Sequence, residues 1–417
     1  MKITKPKGTY DIYSTDAKKI AYVENIAKDI VNNNNFNEIR TPVFEHTEVF
    51  LRGVGEGTDI VTKEMYTFSD KAGRSLTLKP EYTASVVRSY IENGFSSMPS
   101  PIKLWYIGTL YRYEKMQKGR NREFNTFGIE IFGSESYLAD VYAINIGNKF
   151  LDNLGLLDKI TLKINTIGCS ECRKKYITKM KEYLSSYIDT MCDDCKNRYV
   201  KNPLRIIDCK EDKCKKIIEN MPMITDNVCD DCKKDFENVK LILNNLNIDY
   251  IVDKTIVRGL DYYNRTVFEY VSKDLNIALG GGGRYDKLVE TLGGVPTYGV
   301  GFGMGIDRIM ILMEEYNLYK IDYDIDLYFI VLDNNIYAKV IDTVNNLSDL
   351  KYIVDMNISN RSLNANLKFA DKLNSKYVCI IGEDEVLNNT CVIKNMKNNT
   401  QKSVEFNLNN IIESIKE

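Results

Sequence analysis

Between residues 299 and 308 the chain reads GVGFGMGIDR, with a glycine at every second position of the first seven. Read as a strand, this run puts Gly299, Gly301, Gly303 and Gly305 on one face. That face is left bare, a flat trough that backbone or ligand can approach closely. Arg308 follows on a helical turn. A dinucleotide or phosphate loop carries its glycines in the turn between strand and helix, so this spacing fits neither fingerprint. Tight packing of a strand beneath a helix would give the same pattern, and both readings stay open here.

Two further stretches carry charge where a strand has little use for it. IKLWYIGTLYRYEKMQKGRNREFNTFGIEIFG (102–133) reads as two strands joined by a basic, polar loop. Arg112 stands two residues before Glu114, so both side chains point the same way on a strand. The loop adds Lys115, Lys118, Arg120 and Arg122, and Phe124 begins the return strand. A cation and a carboxylate on one sheet face suit a phosphate and its metal ion, and a nearby aromatic can stack a base. A solvated basic hairpin is the plain alternative. In RGLDYYNRTVFEYV (258–271), Leu260, Tyr262, Asn264, Thr266, Phe268 and Tyr270 alternate with the other face, which argues a strand. An opening Arg-Gly-Leu-Asp is not what a strand needs at its start.

The composition excludes several function classes. The formal net charge of −2 over 417 residues supplies no global basic field, so a nucleic acid would have to be held by local patches. A single histidine, His46, leaves almost no room for histidine-based acid–base catalysis or histidine-rich metal sites. There is no apolar run of membrane length, and the opening MKITKPKGTYDIYS has no signal-like apolar region. The expectation is a cytoplasmic chain without anchor or membrane partner. Of the ten cysteines, eight fall within 169–232. Cys169/Cys172, Cys192/Cys195 and Cys229/Cys232 are C-x-x-C pairs, and Cys209 with Cys214 makes a fourth pair. In a reducing compartment this spacing favours zinc over disulfides, with two Cys₄ sites possible. Reduced, unliganded thiols are the alternative.

Periodicity places the remaining elements. AKKIAYVENIAKDIVNNNNF reads as an amphipathic helix, and NEIRTPVFEHTEVFLRG as a strand broken by Pro42. SLTLKPEYTASVVRSYIENG is a strand turning into a helix that stops at Gly94, and YLADVYAINIGNKFLDNLG is a helix. Residues 166–253, rich in cysteine and lysine, read as an insertion. From Ile325 the short apolar strands DLYFIVL, KYIVDM and YVCIIG alternate with helices, which argues a small α/β domain with parallel pairing. Two domains are expected, 1–323 with the insertion and 324–417, with YNLYKIDYD as the linker.

In chain order, KGTYDIY, RTPVFEHTEVF, LTLKPEYTA, LYRYEKMQKGRNREF, VRGLDYYNRTVFE, GGGGRYDKLVE, GVGFGMGIDRI, RSLNANLKFADKL and YVCIIGEDE resemble the class II aminoacyl-tRNA synthetases. The RGLDYY element is particular to their histidyl-tRNA synthetase branch. The resemblance implies an α/β (α+β) catalytic domain whose antiparallel sheet is flanked by helices. It also implies that the insertion is helical and that the C-terminal domain is a mixed-sheet α/β domain of anticodon-binding type. The implied activity is ATP-dependent activation of histidine to histidyl-adenylate and its transfer to the 3′ end of histidine tRNA, by a homodimer that uses Mg²⁺ with ATP.

By the same resemblance, Arg112 and Arg258 are the catalytic residues at the α-phosphate, Arg308 clamps the far end of ATP, Phe124 stacks adenine, and Glu114 holds the nucleotide or its metal. Glu81 and Thr83 stand near the α-amino group of histidine. Glu130, Tyr263 and Tyr285 surround the imidazole, and Asp261, Tyr262, Thr126, Arg112 and Arg258 complete the pocket. Gln117, Lys118, Arg120 and Arg122 are candidates for the tRNA acceptor end. The chain departs from the family in KPEYT, where Lys79 and Tyr82 replace Arg and Gly, and at Asn125 and Thr126, where the family has His-Gln. Losing one hydrogen bond to a charged group costs about 1.5–3 kcal/mol. Two alternatives follow: a non-catalytic regulatory paralogue, opposed by the retained Arg112, Arg258 and Arg308 and by the C-terminal domain, and a paralogue for another amino acid or analogue, supported by Tyr82 and Thr126.

Overall fold

The computed structural model describes residues 2–55, 57–275, 277–319 and 324–416. The chain divides into two units, Met1–Tyr319 and Lys320–Glu417.

An eight-stranded sheet organises the first unit. Its strand order is Asn37–Glu38, Ile102–Tyr111, Glu123–Phe132, Gly299–Gly305, Ala278–Arg284, Asn264–Ser272, Ile160–Thr166 and Ile251–Val252. Pairing is antiparallel throughout its centre and parallel only at the two short outer strands. Strand alternation sorts the residues of the arginine hairpin onto two faces. Trp105, Phe127, Ile129 and Ile131 join a core with Val23, Ala27, Ile144, Phe150, Phe236 and Leu312 from four helices: Ser14–Asn33, Leu138–Asn153, Asp230–Asn245 and Ile306–Glu315. Leu104, Tyr106, Leu110 and Phe132 face the other way, towards Tyr82, Val86, Tyr263 and Tyr285. One face is thus sealed by helices and the other is free to build a site.

The glycine strand lies between the hairpin and the Ala278–Arg284 strand, and its bare face is used in two ways. A Cβ at Gly301 would stand 1.9 Å from Glu130 Oε2, and one at Gly299 would stand 2.3 Å from the Tyr285 ring. Those two glycines admit close side chains. Gly303 and Gly305 line an open cleft instead.

Three elements differ from the sequence reading. TEVFLRG is not strand: the strand is short, Phe44–His46, and Thr47–Val54 is a helix. The β-branched and aromatic residues suggest a strand, but the buried positions Thr47, Phe50 and Val54 follow helical spacing. The strand in RGLDYYNRTVFEYV begins only at Asn264, so Arg258 to Tyr263 form a loop at its mouth. The first hairpin strand ends at Tyr111. Arg112 N–H still donates to Arg122 O, and Glu114 N–H then bonds Arg112 O, which turns the chain out of the ladder.

The insertion is helical, built on Ser170–Leu184, Asp193–Lys201, Asp212–Ile218 and Asp230–Asn245. Tyr176, Met180, Leu184, Ile206, Ile218 and Ile224 join the core on the site face of the sheet. In the second unit, Val354–Met356, Ile325–Val331 and Ser375–Ile381 pair in parallel, and Thr390–Asn395 and Gln401–Glu405 extend the sheet antiparallel. Residues 320–323 of the expected linker lie outside the described residues.

Candidate active site

On the open face of the large sheet lies a cleft of about 880 Å³ including its solvent mouth, within the range of ligand sites. Glu81, Thr83, Arg112, Glu114, Phe124, Thr126, Arg258, Tyr262, Tyr263 and Arg308 all line it. Residues from five separate stretches therefore converge on one hollow.

Three guanidinium groups are held by different means. Arg112 Nε donates to Pro80 O at 2.8 Å, and its guanidinium stands 5.6 Å from the Phe124 ring centroid. Arg258 Nη1 pairs with Glu269 Oε1 at 2.9 Å, while its buried Nε–H has no partner among the described residues. An unpaired buried donor on a cation is a costly arrangement unless a ligand completes it. A Cβ at residue 281 would come within 2.7 Å of Arg258 Nη1, so glycine there makes room for the guanidinium. Arg308 Nε bonds Gly119 O at 2.9 Å and Nη1 bonds Ala278 O at 2.6 Å, which pins the basic loop to the sheet. Glu114 accepts from Arg120 Nη1 at 3.3 Å and lies 3.9 Å from Arg112.

The carboxylates form a second group. Glu81 accepts the amides of Thr83 at 2.9 Å and Ala84 at 2.7 Å, capping the Thr83–Glu92 helix, and takes the Tyr262 hydroxyl at 3.2 Å. Burial raises its pKa above the usual carboxylate range, against the pull of those amides. Glu130 and Tyr285 stand one layer below the cleft wall. Glu130 Oε1 accepts from Thr83 Oγ1 at 2.7 Å and Tyr106 OH at 3.1 Å, and Oε2 accepts from the Tyr285 hydroxyl. Burial pushes the Glu130 carboxyl up to about 8, although the hydroxyls of Tyr285 and Thr83 hold it down. With the three hydroxyls donating to Glu130, their own lone pairs are left for an outside N–H donor.

Other expected residues fall elsewhere. The Asp261 carboxylate does not line this cleft; it faces the insertion and accepts from Asn202 Nδ2. Of the acceptor-end candidates, Arg120 lines the cleft, while Gln117 and Lys118 are exposed on its loop. Arg122 is turned inward, its guanidinium 3.8 Å from the Tyr113 ring centroid. It is half-buried, whereas Gln117 and Lys118 are exposed. Tyr82 lies flat on Tyr106, with ring centroids 4.1 Å apart and Lys79 Nζ 3.9 Å from its own ring centroid. A Cβ at residue 108 would meet the Tyr82 hydroxyl, and Gly108 is the cross-strand partner of Thr126. Thr126 Oγ1 donates to Met304 O at 3.0 Å. Burial lowers the Lys79 ammonium to about 8 and raises the Tyr82 phenol to about 12.

Sequence reasoning missed Glu269, Tyr106 and Asp307. Asp307 Oδ2 accepts the Asn125 amide at 2.7 Å and fixes the return strand beside Phe124. Its position directly before Arg308 in GIDR was the available signal. The cysteines fall into two tetrads, Cys169/Cys172/Cys229/Cys232 and Cys192/Cys195/Cys209/Cys214, each able to hold a metal ion.

An antiparallel sheet closed by helices on one face, with arginines from a hairpin, a strand mouth and a glycine-strand helix meeting on the other, defines a class II aminoacyl-tRNA synthetase. The model of the family described as "Histidyl-tRNA synthetase" matches residues 8–172 and 210–309, and that of the "Anticodon binding domain" matches 326–417. The histidine–tRNA ligase of Acetivibrio thermocellus is 47% identical over 414 residues, covering 99% of each chain. That of Clostridium kluyveri is 45% identical over 408 residues, covering 97% of each. The crystal structure of apo S. aureus histidyl-tRNA synthetase superposes with a TM-score of 0.82 at 34% identity, covering 100% of both chains. The chain belongs to the histidyl-tRNA synthetase family.

Proposed function

We infer that this chain is an ATP-dependent ligase that activates histidine as the adenylate and passes it to the 3′ end of histidine tRNA. The observation that carries the reading is the sorting of charge along one cleft. Arg112, Arg258 and Arg308, the second with a buried Nε–H unpaired among the described residues, share it with Arg120, with Glu81 and with hydroxyls organised by Glu130.

The histidine carboxylate attacks the α-phosphorus of ATP and pyrophosphate leaves, so the nucleophile is already ionised and no protein base is needed. Arg112 and Arg258 hold the two anions together and neutralise charge building on phosphorus. Arg308 secures the distal phosphates and Phe124 the adenine. A ribose hydroxyl of the tRNA terminus then attacks the adenylate carbonyl, releasing AMP. Glu114, a hard oxygen ligand on the cleft wall, would hold Mg²⁺ bound with ATP, which would supply charge neutralisation at the phosphates. Glu81 and Tyr262 receive the α-amino group. Glu130 and Tyr285 act as positioning residues: the lone pairs of Thr83 and Tyr106 face the imidazole N–H, and analogues without that donor leave them unpaired.

Residues 1–323 form the catalytic part and 324–417 the tRNA-reading part, with Lys118 and Arg120 meeting the acceptor end. The working form is a cytoplasmic homodimer, supported by family membership and by exposed Val43, Phe44 and Phe68 at the small three-stranded sheet. Among the described residues no helix is long and apolar enough to cross a membrane. The cysteine-rich insertion suits structural zinc, because four-sulfur cages leave no open position for catalysis. ATP-dependent transfer of labelled histidine to unfractionated tRNA, lost in Arg258→Ala, tests the assignment; incorporation that persists in the variant would contradict it.

A further inference from the structure

We propose that the insertion holds two zinc ions, each caged by four cysteine sulfurs, and that they lock it onto the loop presenting Arg258, Tyr262 and Tyr263. The sulfurs sort without remainder: Cys169 and Cys172 meet Cys229 and Cys232, while Cys192 and Cys195 meet Cys209 and Cys214. Within each set the ligand atoms lie within 4.8 Å of one another. Cys169 and Cys172 sulfurs are 3.6 Å apart, and those of Cys192 and Cys209 are 3.7 Å apart. A disulfide would bring sulfurs to about 2.05 Å. Four sulfurs placed tetrahedrally at about 2.3 Å from zinc stand about 3.8 Å from one another, the spacing seen here.

The backbone is arranged for thiolates. Cys169, Cys192 and Cys229 each cap the N-terminus of a helix, and Cys172, Cys195 and Cys232 follow in its first turn. The Cys169 amide donates to Cys232 Sγ at 3.3 Å and the Cys229 amide to Cys172 Sγ at 3.1 Å, so the two knuckles of one cage brace each other. In the second cage the Cys192 amide donates to Cys214 Sγ at 3.3 Å. On binding, each cage releases four thiol protons to solvent and keeps a net charge of −2. Amide donors and helix N-termini offset that charge.

The cages flank the residues that grip the substrate loop. Arg173, directly after Cys172, donates from Nη1 to Asp261 O at 3.1 Å and Tyr263 O at 2.7 Å. Asn202, between Cys195 and Cys209, donates to the Asp261 carboxylate, and Arg205 donates to Val257 O at 3.4 Å. The loop has no helix or strand of its own, so these bonds set where its side chains stand. This coupling rests on the proposed function; the metal sites do not.

Full-length protein purified without chelator is expected to contain two zinc ions per chain by elemental analysis. Cobalt exchanged for zinc should give the thiolate charge-transfer and visible bands of a tetrahedral four-sulfur site. Cys169→Ser with Cys172→Ser should reduce the count to one, and so should Cys192→Ser with Cys195→Ser. Arg173→Ala, which keeps all eight sulfurs, should retain both ions and raise the KM for histidine in pyrophosphate exchange about tenfold, with a smaller change in KM for ATP. That variant carries the coupling test even where the serine variants fail to fold. No metal with eight freely titrating thiols, or paired disulfides, would overturn the cages. Two ions with an unchanged histidine KM in Arg173→Ala would overturn the coupling. Metal content is read without activity, so a wild-type chain inactive with histidine would refute the functional reading and leave the cages standing.

Discussion

Glu130→Gln should separate the stability of the fold from its use of histidine. A glutamate titrates near 4.5 when unfolded, and burial raises Glu130 to about 8. The folded state therefore binds the extra proton between those values. Stability falls as pH rises through that window, by up to about 1.4 kcal/mol per unit, and levels off above about 8. From pH 6 to 8 the contribution changes by about 2 kcal/mol. Glutamine carries no such term, so the variant should gain that amount on the wild type across the interval. The only tryptophan, Trp105, is buried opposite Ile129 in the register that pairs Leu104 with Glu130. Urea unfolding followed by its fluorescence thus reports on this sheet. Unlike either carboxyl oxygen, the amide NH₂ of glutamine cannot accept, so one hydroxyl of Thr83, Tyr106 or Tyr285 must turn around and present a donor to the imidazole N–H. Histidine activation should fall about ten- to a hundredfold, by loss of about 1.5–3 kcal/mol. A stability difference constant between pH 6 and 8 would refute the burial argument, and unchanged histidine KM would refute the positioning role.

Three other outcomes follow from the site. Arg258→Ala should cut adenylate formation by orders of magnitude with unchanged Trp105 fluorescence, and near-normal pyrophosphate exchange would remove Arg258 from the chemistry. A chain truncated after Tyr319 should keep histidine-dependent exchange and lose most tRNA charging, measured side by side; equal charging would undo that division of labour. Tyr82→Gly and Thr126→Gln should each weaken activation yet restore it together, with a coupling of about 1 kcal/mol or more in a double-mutant cycle, because the Tyr82 hydroxyl covers the residue paired with Thr126. Strict additivity would show that the two positions act separately.

Much of the site was legible because its residues sit in recurring local patterns. The period-two glycines announced a bare strand face, and Arg112, Arg258 and Arg308 each stood in a motif with its own turn or strand. What lay beneath the face was not legible: that Gly301 is bare for Glu130, and Gly299 for Tyr285, depends on neighbours far apart in sequence. Thr47–Val54 misled because strand-forming residues occupy helical spacing there. Asp261, assigned to the pocket by resemblance, was misplaced because its carboxylate is drawn to Asn202 of the insertion, a neighbour far away in sequence. The cysteine spacing predicted cages but not their pairing, since the first C-x-x-C skips the second to meet the third.

The central claim is most directly tested by ATP–pyrophosphate exchange with the full-length chain across all twenty amino acids. The account requires exchange stimulated by histidine well above every other amino acid, with labelled histidine then appearing on histidine tRNA. Exchange with none of them, or a preference for an amino acid other than histidine, would contradict it.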